Sequence, residues 1–177
     1  MRVTHEIEIQ PTAVILDGNS LTLTETGEKM LVELYRRYVN DYPKFFKMDT
    51  LSRLGFIASE LLLQAECEER FVSRDDRDVI LANRSASIKN DNDYLQTIAE
   101  DNYFPSPALF VYTLPNIVTG EIAIRNKYLG ETSFYILNTP EDIEPLLQSI
   151  SNSAIAGWCE CSDANSFYAK IQIIWKN

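Results

Sequence analysis

Residues 107–140, PALFVYTLPNIVTGEIAIRNKYLGETSFYILNTP, constrain this chain more than any other stretch. The apolar run Ala108–Tyr112 has the length and bounding prolines of a short buried strand. Leu114-Pro115-Asn116 ends that run and sets up a helix over Ile117–Tyr128, with Gly130 at the place of a left-handed cap. Ser133–Leu137 reads as a second buried strand, and Asn138-Thr139-Pro140 starts the next helix. Strand, helix, strand and helix start make a layered α/β unit, and such folds carry their chemistry where the strands end.

The flanking segments read as pieces of the same sheet. Val3–Gln10 alternates, with Ile7 and Ile9 on one face and Glu6 and Glu8 on the other. Ala13–Leu16 and Leu21–Thr24 read as strands joined by an Asp17-Gly18-Asn19-Ser20 turn. Thr26 caps a helix whose stripe is Leu31, Leu34, Tyr35 and Tyr38. After Asn40–Pro43 and the short apolar segment Phe45–Met48, Asp49 or Thr50 caps a long helix. Its inward residues are Leu51, Leu54, Ala58, Leu61, Leu62 and Ala65. Glu66, Glu68 and Glu69 crowd its C-terminus, where the helix dipole opposes negative charge, so fraying is expected. Asp78–Ala82 is a strand and Asn83–Ser87 a polar loop. Tyr94–Glu100 reads as a short helix, and Tyr103–Pro107 as a rigid connection. Glu141–Ser149 is a helix turning Ile143, Leu146 and Leu147 inward. Ala154–Cys161 and Phe167–Trp175 form a closing hairpin around Ser162–Asn165.

Composition narrows the class of function. The 177 residues suit a single domain, 1–177, with a substantial core. Sixteen basic residues against 26 acidic give a net charge of −10, the wrong sign for a nucleic-acid surface. No apolar run is long enough for a membrane span, and the N-terminal stretch lacks the apolar centre of a signal peptide. Three cysteines, Cys67, Cys159 and Cys161, do not make a disulfide framework, and the reading is cytoplasmic with reduced thiols. Cys159-Glu160-Cys161 lacks a second pair to complete a metal site, so it reads as two side chains on one sheet face. No metal or cofactor is expected.

Several segments together resemble the amino-terminal half of a β-ketoacyl synthase, a member of the thiolase-like superfamily. Lys47-Met48-Asp49 resembles the entry to that family's first core helix, and Asp78–Ala82 the strand carrying its G-V-x-x-G-T motif. The most specific match is Leu114-Pro115-Asn116, Gly120, Ala123, Ile124-Arg125 and Gly130. Ala154–Glu160, AIAGWCE, is similar to the strand that follows the nucleophile helix. The resemblance runs from about Phe45 onward, in the right order. It implies a thiolase-like half domain, α/β, with a mixed, mainly five-stranded sheet, helices on both faces and antiparallel hairpins at the termini.

The resemblance also says where chemistry would sit. The family's cysteine stands nine residues past the glycine matched by Gly130, which is Thr139 here; the family's two further histidines come from its other half. A threonine hydroxyl needs an adjacent base, and the one histidine, His5, is far off in sequence. Thr139, Pro140, Glu141 and Asp142 read as a helix cap, and their carboxylates would repel an oxyanion. No catalytic residue is assigned. Ser85, Cys159 and Cys161 have no base in view, and Glu121/Arg125 reads as an i, i+4 ion pair within the helix or at a subunit contact. The expectation is a non-catalytic ketosynthase-like subunit or scaffold in fatty-acid or polyene-type biosynthesis. It would act as a homodimer, or a heterodimer with a ketosynthase, through Ser133, Phe134, Tyr135, Ile136 and Leu137. Acyl carrier protein is a further partner the resemblance implies, although that carrier is itself acidic. Two alternatives stand beside it. One is a 3-oxoacyl-acyl-carrier-protein synthase or acyltransferase completed by a partner chain. The other is a small acyl- or lipid-binding module lined by Phe110, Tyr112, Phe134 and Tyr135.

Overall fold

The computed structural model describes residues 1–101 and 104–177, so Tyr103 of the expected connection lies outside the described residues. Seven strands form one mixed sheet. In chain order they are β1 (Arg2–Gln10), β2 (Ala13–Leu16), β3 (Asn19–Ser20), β4 (Arg77–Asn83), β5 (Thr132–Ile136), β6 (Ser153–Asp163) and β7 (Ser166–Trp175). Their order across the sheet is β3-β2-β1-β7-β6-β4-β5. β4 runs parallel to both β5 and β6, whereas β6–β7, β7–β1 and β1–β2 are antiparallel. Among the described residues the sheet has seven strands where mainly five are expected, and its mixed α/β class is as expected.

Helices α1 (Gly27–Tyr38), α2 (Thr50–Glu66) and α5 (Ile117–Asn126) are the long ones. The shorter ones are α3 (Ile88–Leu95), α4 (Pro107–Val111), and α6 (Glu144–Leu147), which continues a 3₁₀ turn over Pro140–Ile143. The main core lies on one face of the sheet. Ile7, Ile9, Val79, Leu81, Ile155, Ile171 and Ile173 of the strands meet α1, α2 and α5 there. The second core, on the other face, packs Ile143, Leu147 and Ile150 on Ile80, Ala82, Ala154, Ala156, Trp158 and Ile174. α2 is buried on nearly all sides, as befits a helix enclosed by protein. Asp49 caps it, accepting the Ser52 N–H at 3.1 Å.

Several elements depart from the sequence expectation, each for a local reason. Ala108–Tyr112 is helical, not a strand: Pro107 occupies the first helical position and Ser106 Oγ accepts the Leu109 N–H at 3.3 Å. The run is not buried either, since Phe110 is 54% exposed. The first hairpin turns through Asp17 and Gly18 alone, both at positive φ (49° and 78°), so its return strand is Asn19–Ser20. The expected Leu21–Thr24 strand is absent because the Glu33 carboxylate takes the N–H groups of Thr24 and Glu25, at 3.0 and 2.8 Å, and draws the chain toward α1. The helix expected over Tyr94–Glu100 sits earlier, at Ile88–Leu95, supported by the Lys89–Asp93 pair at 2.8 Å. Thr26 precedes α1 without a side-chain cap bond, and Tyr38 is exposed rather than inward. The left-handed cap of α5 is Lys127, φ 58°, rather than Gly130. Gly130 serves packing instead: a Cβ there would press on the Arg77 carbonyl and the Asp78 carboxylate.

Those two residues open β4 and are themselves buried. Arg77 is paired with both oxygens of Glu66 (3.1 and 2.8 Å) and donates to Ser153 Oγ at 2.7 Å. Its guanidinium lies 5.2 Å from the Trp175 ring centre and 5.9 Å from that of Tyr128. Arg74 takes Glu68 at 2.6 Å. Two of the carboxylates expected to loosen the end of α2 are thus held by arginines, and the helix closes on Cys67 in the left-handed conformation. Asp78 accepts from the backbone N–H of Glu131 at 2.8 Å and of Ser151 at 2.7 Å, fixing the approaches to β5 and β6.

Gly55 allows α2 to lie directly against α5, because a Cβ would press on Val118 Cγ2, whereas a Cβ at Gly120 would meet nothing within 4 Å. Alanine is the better helix former at both sites by ~1 kcal/mol. The two substitutions are therefore expected to act in opposite directions. Gly55→Ala should lower stability by about 1–3 kcal/mol through overpacking, and Gly120→Ala should raise it by about 0.5–1 kcal/mol. Urea unfolding midpoints of the two variants check the signs.

Candidate functional site

The carboxyl ends of the parallel strands β4 and β5 are where the sequence places the chemistry. The two strands close together there, Leu137 donating its N–H to the Asn83 carbonyl at 2.8 Å. Asn83 then clasps the following turn. Its Oδ1 accepts from Ala86 N–H at 2.9 Å and its Nδ2 donates to the Ala86 carbonyl at 2.8 Å. Glu160, reaching across from β6, accepts the Arg84 N–H at 2.9 Å and the Ser85 hydroxyl. Ser85 is therefore engaged by a carboxylate that also binds backbone. The Asn83 clasp has a local signal, an Asn followed by small polar residues. The Glu160 contact spans 75 residues and has none.

One strand over, Thr139 follows β5 exposed to solvent. Asp142 Oδ2 accepts the Thr139 N–H at 3.0 Å, and the chain turns into the 3₁₀ segment with Pro140 leading and Glu141 and Asp142 in its first turn. The Thr139 backbone N–H is thus occupied by a carboxylate. His5 stands on β1, and β4, β6 and β7 lie between it and β5. At ~4.8 Å per strand the separation is on the order of 19 Å, beyond any proton transfer. His5 Nδ1 lies instead 2.7 Å from Asp17 Oδ2. Partial burial would raise the Asp17 carboxyl, but the His5 hydrogen bond and the Glu6 N–H hold it below its usual value.

Cys159 and Cys161 are buried on one face of β6, as their spacing implies. Burial pushes the Cys159 thiol well above its ordinary value and the Cys161 thiol up to about 12. Among the described residues no cluster of three His, Cys, Asp or Glu side chains is placed to hold a metal ion.

The Glu121–Arg125 pair expected within α5 is not made. Glu121 instead binds Lys44 and the Tyr42 hydroxyl, the latter at 3.0 Å, and Arg125 pairs with Asp41 at 2.5 Å. Both side chains are drawn off the helix toward the 41–44 segment, which they tie to α5. Burial, with the Glu121 carboxylate beside it, raises the Tyr42 phenol to about 12. The aromatic set does not converge. Tyr112 and Phe134 pack against the main core, Tyr135 against the second core across the sheet, and Phe110 lies tilted beside Tyr94 with ring centres 5.5 Å apart. Alternation along β5 separates Phe134 from Tyr135. A cleft of about 520 Å³ does open beside Pro140 and Glu141, floored by Trp158, Ile174, Leu147 and Ile143.

β5 itself is the last strand of the sheet. The bonds Val79 N–H to Glu131 O (2.7 Å) and Leu137 N–H to Asn83 O bracket its ladder with β4. Odd-numbered residues between them face β4, so Thr132, Phe134 and Ile136 turn their peptide groups outward. Among the described residues no strand pairs with that edge. No helix among them is long and apolar enough to cross a membrane.

No protein-family model matches the sequence, and a search of curated proteins gives no match. Solved structures do match its fold. The ishigamide ketosynthase/chain length factor superposes with a TM-score of 0.65 at 15% identity, over 98% of this chain and 61% of that one. The ketosynthase ApeO in complex with its chain length factor ApeC, from Xenorhabdus doucetiae, gives a TM-score of 0.62 at 13% identity, over 99% of this chain and 79% of that chain. This chain therefore spans under two thirds of the length of the first. The fold is the thiolase-like α/β fold of these ketosynthase proteins, as the sequence resemblance implies.

Two chemical measurements follow from the site. Iodoacetamide at pH 8 should alkylate Cys67 alone in the native protein, because the other thiols are buried and their pKa values raised, and all three cysteines in denaturant; mass spectrometry counts the adducts. A Thr139→Cys variant should gain an ordinary thiol, its alkylation rising only near pH ~8.5. A midpoint at pH ~6 or below would mean that the turn stabilises thiolate despite Asp142.

Proposed function

We propose that the chain is a non-catalytic ketosynthase-like subunit that works by pairing its β5 edge with a ketosynthase, or with a second copy of itself. The unpaired edge carries this reading. A β-forming edge strand with three outward-facing peptide units and no lysine or proline to blunt it offers a template for strand pairing. The structural neighbours, a ketosynthase/chain length factor and a ketosynthase in complex with its chain length factor, support assembly of this kind. At the point where the resemblance puts a cysteine stands Thr139, with a carboxylate on its N–H and no histidine in reach, which supports a role without acyl transfer. Fatty-acid or polyene-type biosynthesis is the setting the resemblance suggests. The net charge of −10 favours binding a ketosynthase rather than an acidic acyl carrier protein.

Ser133–Leu137 would form the contact, with main-chain bonds supplied by Thr132, Phe134 and Ile136. Proline at an exposed edge position removes only an outward N–H and is tolerated in the monomer. Ile136, 52% exposed, is the position to test. Light scattering after size exclusion, alone and with a ketosynthase encoded beside it, should show a dimer for the native chain. The Ile136→Pro variant should be a folded monomer. A native chain that stays monomeric at micromolar concentration with and without the ketosynthase would count against the proposal. So would transfer of an acyl group from a carrier thioester to the isolated chain.

A further inference from the structure

The second core leaves part of its sheet face uncovered, and that face has a definite chemical character. Parallel strands are ordinarily buried on both sides, and antiparallel ones such as β6, β7 and β1 can face water on one, where they ordinarily carry polar residues. Here α6 and its 3₁₀ lead-in shelter β4 and one end of β6, then stop. Beyond them runs the cleft of about 520 Å³. Its floor is apolar, with Trp158 and Ile174 nearly buried and the exposed side chains of Met1 and Val3 continuing it. Gly157 contributes no side chain, and no Cβ fits there because it would press on the Lys170 carbonyl. Both walls carry carboxylates. Glu141 and Glu144 stand exposed on the helical side. On the sheet side Glu6 and Glu8 lie across from Gln172 and Lys170 in the β1–β7 register. Lys170, a cation on that side, is already 3.5 Å from Glu6.

We infer that this cleft docks an amphipathic helix with an apolar stripe flanked by basic residues. A sheet face offers no free backbone groups, so an extended peptide laid on it would leave its own N–H and C=O groups unpaired. A helix satisfies them internally, and one lying beside α6 completes the helical layer at the ~10 Å spacing of packed helices. Basic flanks complement Glu141 and Glu144 on one wall and Glu6 and Glu8 on the other. A second copy of this chain is the poorer occupant, since it would bring the same carboxylate rim, and another ten negative charges, against the first. This site is on the face of the sheet, separate from the β5 edge, and stands or falls independently of the association proposed there.

The probe is a synthetic Leu/Lys amphipathic helix of roughly 18 residues, with a Leu/Glu peptide of the same apolar pattern as control. Calorimetric titration of the full chain should show saturable one-to-one binding of the Leu/Lys peptide and none of the Leu/Glu peptide. Glu141→Lys with Glu144→Lys should weaken it by about tenfold or more. Val3→Asp should weaken it as well, through the apolar floor. Reversal of the remote exposed pair Glu69 and Glu100 should leave it unchanged, which separates this cleft from general attraction to an acidic protein. Equal binding of both peptides, no binding, or insensitivity to Glu141, Glu144 and Val3 overturns the inference. So does a dimer abolished by Val3→Asp but kept by Ile136→Pro, because a second copy would then fill the cleft.

Discussion

Two adjacent buried charges at the start of β4 hold the sheet to its helices. Arg77 is fully enclosed, and its guanidinium is satisfied by Glu66 at the end of α2 and by Ser153 at the start of β6. Asp78 collects backbone N–H groups from the entries to both neighbouring strands. An unpaired charge there would cost several kcal/mol, so the helix end, three strands and the α5–β5 loop settle their positions together. Gly130 belongs to the same arrangement, since only a residue without Cβ lets that loop lie on the Arg77 carbonyl. Such a pair contributes specificity of arrangement more than net stability, because burying it costs most of what pairing returns.

With the amino ends of the parallel strands fixed by ions, the carboxyl ends are held by neutral or singly charged clasps. Asn83 closes the turn after β4, Glu160 holds it from β6, and Asp142 closes the turn after β5. Each engages backbone N–H groups of Arg84, Ala86 or Thr139. The surfaces left over are of two kinds. The β5 edge presents outward N–H and C=O groups, a template on which another strand can pair. The cleft beside α6 has unmet apolar area within an acidic rim, which calls for a side-chain surface.

Much of this was legible in residue order. Ile7/Ile9, DVILA, SFYIL and the closing hairpin carry strand periodicity strong enough to survive any packing, and Asp49 and Thr139-Pro140 mark helix starts by their own side-chain chemistry. The motif run from Leu114 to Gly130 sufficed for the resemblance to ketosynthases, and the solved structures share the fold at identities where sequence matching is silent. Thr139, and the capped turn it begins, could be read from four consecutive residues, Thr139 to Asp142.

Tertiary contacts decided the rest. PALFV is apolar enough for a strand, yet proline and a serine cap made it a helix on the surface. Glu33, eight residues beyond Glu25, took the backbone N–H groups that a Leu21–Thr24 strand would have used. Glu121 and Arg125 have the spacing of a helical pair, but Lys44, Tyr42 and Asp41 offered each a partner off the helix. Short-range rules fix what a segment can be. Which donors, charges and apolar faces remain free depends on residues tens of positions away, and only the folded chain brings them together.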